Sequence, residues 1–94
     1  MLSSLNADLK NFLEDKNILI TGGTGTFGHE ITRVLLTKYN PKKVIIFSRD
    51  EFKQYNMKKI FPEDKFPNIR FFIGDVRDYD RVYALIISFQ EFIF

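Results

Sequence analysis

Residues 17–30 read NILITGGTGTFGHE and hold four of the chain's five glycines, Gly22, Gly23, Gly25 and Gly28. Glycine inside a regular element costs about 0.5–1 kcal/mol relative to alanine. So dense a cluster belongs where side chains would obstruct the backbone. The window follows NILIT, a short apolar run, and opens FGHEITRVLL, where Phe27, Ile31, Val34 and Leu35 recur at helical spacing. A strand therefore hands over to a helix here. Gly22, Gly25 and Gly28 form G-x-x-G-x-x-G, and from Gly23 the same stretch reads G-x-G-x-x-G. In that context the first glycine allows the tight turn, the middle one admits a pyrophosphate close to the backbone, and the last lets helix and strand pack. The helix start adds free N–H groups and a positive dipole end. A P-loop is excluded, because no Gly-Lys-Ser/Thr follows at the required spacing.

The pattern continues outward from this window. Pro41 in NPKK cannot continue the first helix and biases Asn40 away from helical geometry. KVIIFS is a second apolar run, and RDEFKQYNMKKIF reads as a helix with Asp50 near its start and Pro62 at its close. IRFFI is a third strand. DYDRVYALIISF places Val82, Leu85, Ile86 and Phe89 on one helical face, with Asp78 as its cap. The final EFIF could begin a fourth strand. Ahead of the window, Leu5, Leu9, Phe12 and Leu13 mark one face of a short helix with Ser4 as its cap. That helix reads as packing on its own domain or on a partner subunit. A membrane-surface role is weaker, since Lys10 alone is basic within it. Continuous apolar strands alternating with helices give an α/β fold: a partial Rossmann βαβαβα unit. Its parallel sheet has helices on both faces and strand order 3-2-1, and a short N-terminal helix precedes it.

Bulk properties narrow the function classes. The 94 residues suffice for one small domain. The net charge of +2 comes from scattered basic residues and leaves no nucleic-acid footprint. There is no cysteine, which excludes a disulfide scaffold, a thiolate metal site and a thiol nucleophile. No apolar run approaches the roughly 20 residues that span a membrane, and no secretory signal opens the chain. A cytoplasmic location is expected.

The end of the second strand discriminates between dinucleotides. NAD sites place an acidic residue there, about 20 residues past the glycines, for the ribose hydroxyls. Here VIIF runs into Ser48 and Arg49. A hydroxyl with a guanidinium suits the 2′-phosphate of NADP, which arginine grips bidentately. Lys53 adds a second positive contact one turn into the next helix, and Asp50 reads first as a helix cap. The third strand ends IGDVRD, which puts Asp75 and Val76 on the sheet edge where ligands bind, within reach of an adenine. The chain divides into an amphipathic helix over 1–15 and, over 16–94, the N-terminal half of an NADP-binding Rossmann domain cut near the fourth strand.

These segments resemble the extended short-chain dehydrogenase/reductase superfamily, whose fingerprint is T-G-x-x-G-x-x-G. More closely, NILITGGTGTFG, SRDEFKQ and RFFIGDVRD look like the N-terminal part of the inverting UDP-N-acetylglucosamine 4,6-dehydratases of polysaccharide and flagellar-glycan biosynthesis. The resemblance covers roughly residues 16 to 85. It implies that Gly22, Thr24, Gly25, Thr26, Phe27 and Gly28 line the pyrophosphate. Ser48, Arg49, Asp50 and Lys53 would surround the 2′-phosphorylated ribose, and Asp75 and Val76 would meet the adenine. It further implies a lyase that uses NADP as a temporary hydride store, oxidising a nucleotide sugar at C4, eliminating water across C5 and C6, and returning the hydride to C6.

The family's catalytic acid, lysine and Tyr-x-x-x-Lys lie beyond the fourth strand and have no counterpart here. Tyr39/Lys43 and Tyr55/Lys59 match Tyr-x-x-x-Lys by spacing, but Pro41 interrupts the first pair and the second follows the adenosine-binding strand. His29 reads as a solvent-facing helix residue. No catalytic and no metal-binding residue is assigned, and the chain alone is expected to be inactive. It is also expected to form homo-oligomers or aggregate, with the nucleotide-sugar substrate bound only by a full-length form. A stand-alone dinucleotide-binding module, an inactive relic, or a fragment of another extended short-chain epimerase or reductase are the alternatives.

Overall fold

The computed structural model describes residues 2–22 and 24–89, with the side chains of 8–22 and 24–89. Leu5's packing, Gly23, and the expected fourth strand at EFIF lie outside the described residues.

The elements are α1 (Leu2–Leu13), β1 (Asn17–Thr21), α2 (Thr26–Lys38), β2 (Lys43–Ser48), α3 (Glu51–Ile60), β3 (Ile69–Ile73) and α4 (Tyr79–Phe89). The three strands form one parallel sheet in the order β1-β2-β3, as the alternating pattern requires. β2 is central, and Val44 through Phe47 are fully buried, because helices cover both of its faces. On one face Val44, Ile46 and Ile69 pack with Leu13 of α1, Leu35 of α2, and Met57 and Phe61 beyond them. On the other, Leu19, Ile45 and Phe47 pack with Leu85 of α4, and Val82, Phe72 and Phe89 close around them.

Local chemistry sets the boundaries. The Asp50 carboxylate accepts from the Lys53 N–H at 3.0 Å and starts α3. The Asp78 carboxylate accepts from the Arg81 N–H at 3.2 Å and starts α4. α2 ends where Tyr39 turns extended, two residues before Pro41.

Three expectations are corrected. α1 begins at Leu2, so Ser4 lies within its first turn and not ahead of it. Phe27 is 80% exposed: α2 turns Gly28, Thr32 and Leu35 inward, and the Phe27–Ile31–Val34 stripe borders a groove beside β1. His29 is half-buried, with its ring edge-on to Phe61 at 6.4 Å, and faces solvent only in part.

Candidate functional site

The strand register brings three chain segments to one edge of the sheet. Thr21, Phe47 and Phe72 lie in one row, and Ser48 pairs with Ile73 in the next. The ladder then continues past the strands: the Gly22 N–H donates to the Phe47 carbonyl and the Gly74 N–H to the Ser48 carbonyl, each at 2.9 Å. All three strands therefore release their chains at the same carboxyl rim, the edge at which open α/β sheets bind ligands.

A cleft of about 600 Å³ opens there. Gly22 and Thr24 border it from the glycine turn, Ser48, Arg49, Asp50 and Lys53 from the β2–α3 junction, and Asp75 and Val76 from the β3–α4 turn. Eight of the twelve expected cofactor residues thus converge. The other four, Gly25, Thr26, Phe27 and Gly28, lie across the turn, bordering an apolar groove with Ile18, Ile20 and Leu13. Gly22 borders both spaces.

The glycine turn has the required geometry at two points. Gly22 has φ +66°, in the left-handed region that side chains disfavour. Gly25 is different. Its backbone is extended, and among the described residues a Cβ there would meet only the Gly22 carbonyl oxygen, at an ordinary 3.9 Å. The fold itself does not demand glycine at 25, so the open space above this residue is free for a ligand. Gly25 also starts α2 without a side-chain cap, and the first turn carries no acidic residue. α3 and α4, by contrast, each begin on an aspartate. The first N–H groups of α2 are left for an anion to meet.

The cleft carries three cations, Arg49, Lys53 and Arg77, and two carboxylates, Asp50 and Asp75. Both carboxylates are committed to the protein. Asp50 holds the start of α3. Asp75 accepts from Arg77 through Nε at 3.1 Å to both oxygens, through Nη2 at 2.6 Å, and from the Arg77 backbone N–H at 2.9 Å. Arg49 Nη1 approaches the same carboxylate at 3.4 Å. The Arg77 hydrogen bonds, reinforced by the positive charges of Arg77 and Arg49, hold the Asp75 carboxyl well below the usual carboxylate range. Asp75 pushes the Arg77 guanidinium upward in turn. Among the described residues no ion pair engages Lys53, so the positive field at the β2 end faces the cleft.

Arg77, Gln54 and Gly74 were not singled out by sequence reasoning. Gln54 left a signal: with Met57 and Phe61 it repeats at helical spacing, a polar residue on an otherwise apolar face. Neither Tyr-x-x-x-Lys match borders the cleft. Tyr39 ends α2 while Lys43 starts β2. Lys59 Nζ instead sits over the Tyr55 ring at 4.4 Å, and Tyr55 lines a separate depression, not the cleft.

A parallel β1-β2-β3 sheet with a left-handed glycine at its rim is part of a Rossmann-type fold. The short chain dehydrogenase of Bacillus anthracis shares the fold at 22% identity, with TM-score 0.64 over 85% of this chain and 32% of that one. The family described as "Polysaccharide biosynthesis protein" matches residues 18–94, and the chain belongs to it. The match runs past residue 85, where the resemblance read from the sequence stopped. Over 69 residues the chain is 58% identical to the UDP-N-acetylglucosamine 4,6-dehydratase (inverting) of Campylobacter jejuni subsp. jejuni serotype O:2, covering 73% of this chain and 20% of that protein. The protein Pen from Bacillus thuringiensis is 48% identical, with TM-score 0.70 over 80% of this chain and 22% of that structure. The chain thus spans about a fifth of the length of the curated relatives it matches.

Proposed function

We propose that the chain is the NADP-binding portion of a nucleotide-sugar 4,6-dehydratase acting on UDP-N-acetylglucosamine. The observation that carries this reading is at the end of β2. There Ser48 and Arg49 border the cleft, and the carboxylate of the next residue, Asp50, caps α3 through one of its oxygens. A 2′-phosphate suits that donor set, because Ser48, Arg49 and Lys53 offer donors and positive charge together. A ribose with two free hydroxyls would meet a serine and an arginine at the strand end, where NAD sites place an acidic residue, with Asp50 one position further and already accepting from α3.

The remaining residues fit the rest of the cofactor. The pyrophosphate lies along the glycine turn, over Gly22 and Gly25, against the uncapped start of α2. Thr24, Thr26, Phe27 and Gly28 flank it. Adenine sits beside Val76 and Asp75. When bound, NADP supplies a reversible store for a hydride; what this chain supplies is affinity, orientation and the choice of the phosphorylated form. The division of the chain into a helix over 1–15 and a half-domain over 16–94 belongs to the same reading. So do a cytoplasmic location and self-association of the protein. No helix among the described residues is long and apolar enough to cross a membrane.

Calorimetric titration of the 94-residue chain with NADP and NAD tests this reading. We expect NADP to bind at least tenfold more tightly, the worth of one charge-assisted hydrogen bond. Equal affinities overturn the 2′-phosphate assignment, and binding of neither overturns the cofactor reading.

A further inference from the structure

Gln54 is a polar side chain in the wrong place for a surface helix. It is 2% exposed, on the inner side of α3. Its side-chain nitrogen lies 2.8 Å from the Phe72 carbonyl oxygen, 3.4 Å from the Ser48 carbonyl oxygen and 3.0 Å from Ser48 Oγ. The two carbonyls fix the orientation of the amide. They can only accept, so the NH2 group and not the amide oxygen must face them.

That orientation has a consequence for Ser48. An amide NH2 has two protons and cannot accept, so its two shorter contacts take them, and Ser48 Oγ, like the Phe72 carbonyl, is an acceptor there, with the 3.4 Å contact to the Ser48 carbonyl secondary. A hydroxyl owns one proton, and this arrangement leaves that proton uncommitted to Gln54. Ser48 lines the cleft beside Arg49 and Lys53. Among the described residues no hydrogen bond takes the Ser48 proton to a protein acceptor.

We infer that Gln54 is a positioning residue that turns Ser48 into a dedicated proton donor toward the cleft, and so tilts the site toward a phosphorylated ribose. The inference rests on the cofactor reading above. A phosphate oxygen accepts only, carries charge, and makes the stronger bond to such a donor. A neutral ribose hydroxyl gains less from it. The same amide ties the ends of β2 and β3 to α3, which holds the donor at a fixed height on the rim. Without Gln54, the Phe72 carbonyl loses its 2.8 Å donor and becomes available to the serine proton, which it draws away from the cleft, while the Ser48 carbonyl keeps its bond from the Gly74 N–H.

Titrating the full chain with adenosine 2′,5′-bisphosphate and adenosine 5′-monophosphate decides the matter. Ser48→Ala should lose about tenfold on the bisphosphate, as expected for one hydrogen bond to a charged acceptor, and under about twofold on the monophosphate. Gln54→Met keeps the side-chain volume and removes the amide; it should reproduce that selective loss. The double variant should lose no more than either single one, because both act through the same proton. A Ser48→Ala protein with an unchanged ratio between the two nucleotides overturns the inference. So does a Gln54→Met loss that falls equally on both nucleotides or adds to that of Ser48→Ala.

Should Gln54→Met not fold, the Gln54 side-chain amide resonances report on the same contact. They should shift and exchange faster in Ser48→Ala, and unchanged resonances overturn the inference. Failure of the unmutated chain to bind either nucleotide overturns the cofactor reading and this inference together. Intact preference in the unmutated chain with non-selective variants overturns the inference alone.

Discussion

Asp75 and Arg77, two residues apart on the β3–α4 turn, lock together through four hydrogen bonds, three from the guanidinium and one from the backbone. The turn is thereby shaped by its own charges. It also keeps an ionised carboxylate at the cleft rim without leaving that charge bare toward an incoming phosphate.

This lock sets a pH dependence. Asp75 has its carboxyl held below the usual range in the folded chain, chiefly by the Arg77 side-chain hydrogen bonds. A depressed folded-state value means the unfolded chain binds the proton first. The contribution is therefore fully present above the unfolded value, near 4, and fades as pH falls below it. Asp75→Asn should flatten the loss of thermal stability between about pH 4 and pH 2. A steep loss of the same size in the variant would assign the acid sensitivity to other carboxylates.

Arg49 should govern the choice between cofactors. Its guanidinium touches Asp75 only at 3.4 Å and remains available to a phosphate. Arg49→Ala should weaken NADP by about 1.5–3 kcal/mol, the range for hydrogen bonds to charged groups. NAD should change little. Calorimetry on both ligands reads this directly, and equal losses would remove Arg49 from the 2′-phosphate site.

Gly25→Val should separate fold from binding. Extended backbone accepts valine, and its Cβ meets nothing among the described residues closer than 3.9 Å. The circular dichroism spectrum and melting temperature should stay close to those of the unmutated chain while NADP affinity collapses. A variant that still binds NADP would show that this glycine guards no ligand.

Gly74→Ala should do the reverse. A Cβ at 74 would sit 2.6 Å from Phe47 Cζ and 2.7 Å from Arg81 Nε. The arginine end can swing away, but Phe47 is fully buried and cannot. Overpacking of this kind costs about 1–3 kcal/mol, to be read as a lower denaturation midpoint.

The side of β1 that no described strand pairs should make the chain associate. Among the described residues β1 pairs only with β2, and Ile18 and Ile20 open onto the apolar groove beside it. Unpaired strand edges template pairing with other chains. Size-exclusion chromatography should show oligomers, and a monodisperse monomer would contradict this.

Much of this was legible in the residues. IRFFI became β3 residue for residue, because a β-branched and aromatic run bounded by Asn68 and Gly74 has few other uses. Asp50 and Asp78 announced their helices. Ser48, Arg49 and Asp75 could be placed on one rim because parallel strands all end on the same side. What stayed hidden depended on side-chain direction. Spacing grouped Phe27 with Leu35, yet a rotation of α2 turned Phe27 outward and brought Gly28 and Thr32 in. The grip of Arg77 on Asp75 and the inward Gln54 amide follow from rotamers that no periodicity encodes.

The pairing of β1 with β2 and of β2 with β3 joins strands that are also consecutive along the chain. Each crossover closes a loop of modest length before the next strand is needed, which keeps the entropic cost of each step small. A growing polypeptide can therefore assemble the described rim, from Gly22 to Arg77, in the order in which it leaves the ribosome, each of these three strands meeting a neighbour that is also its neighbour in sequence.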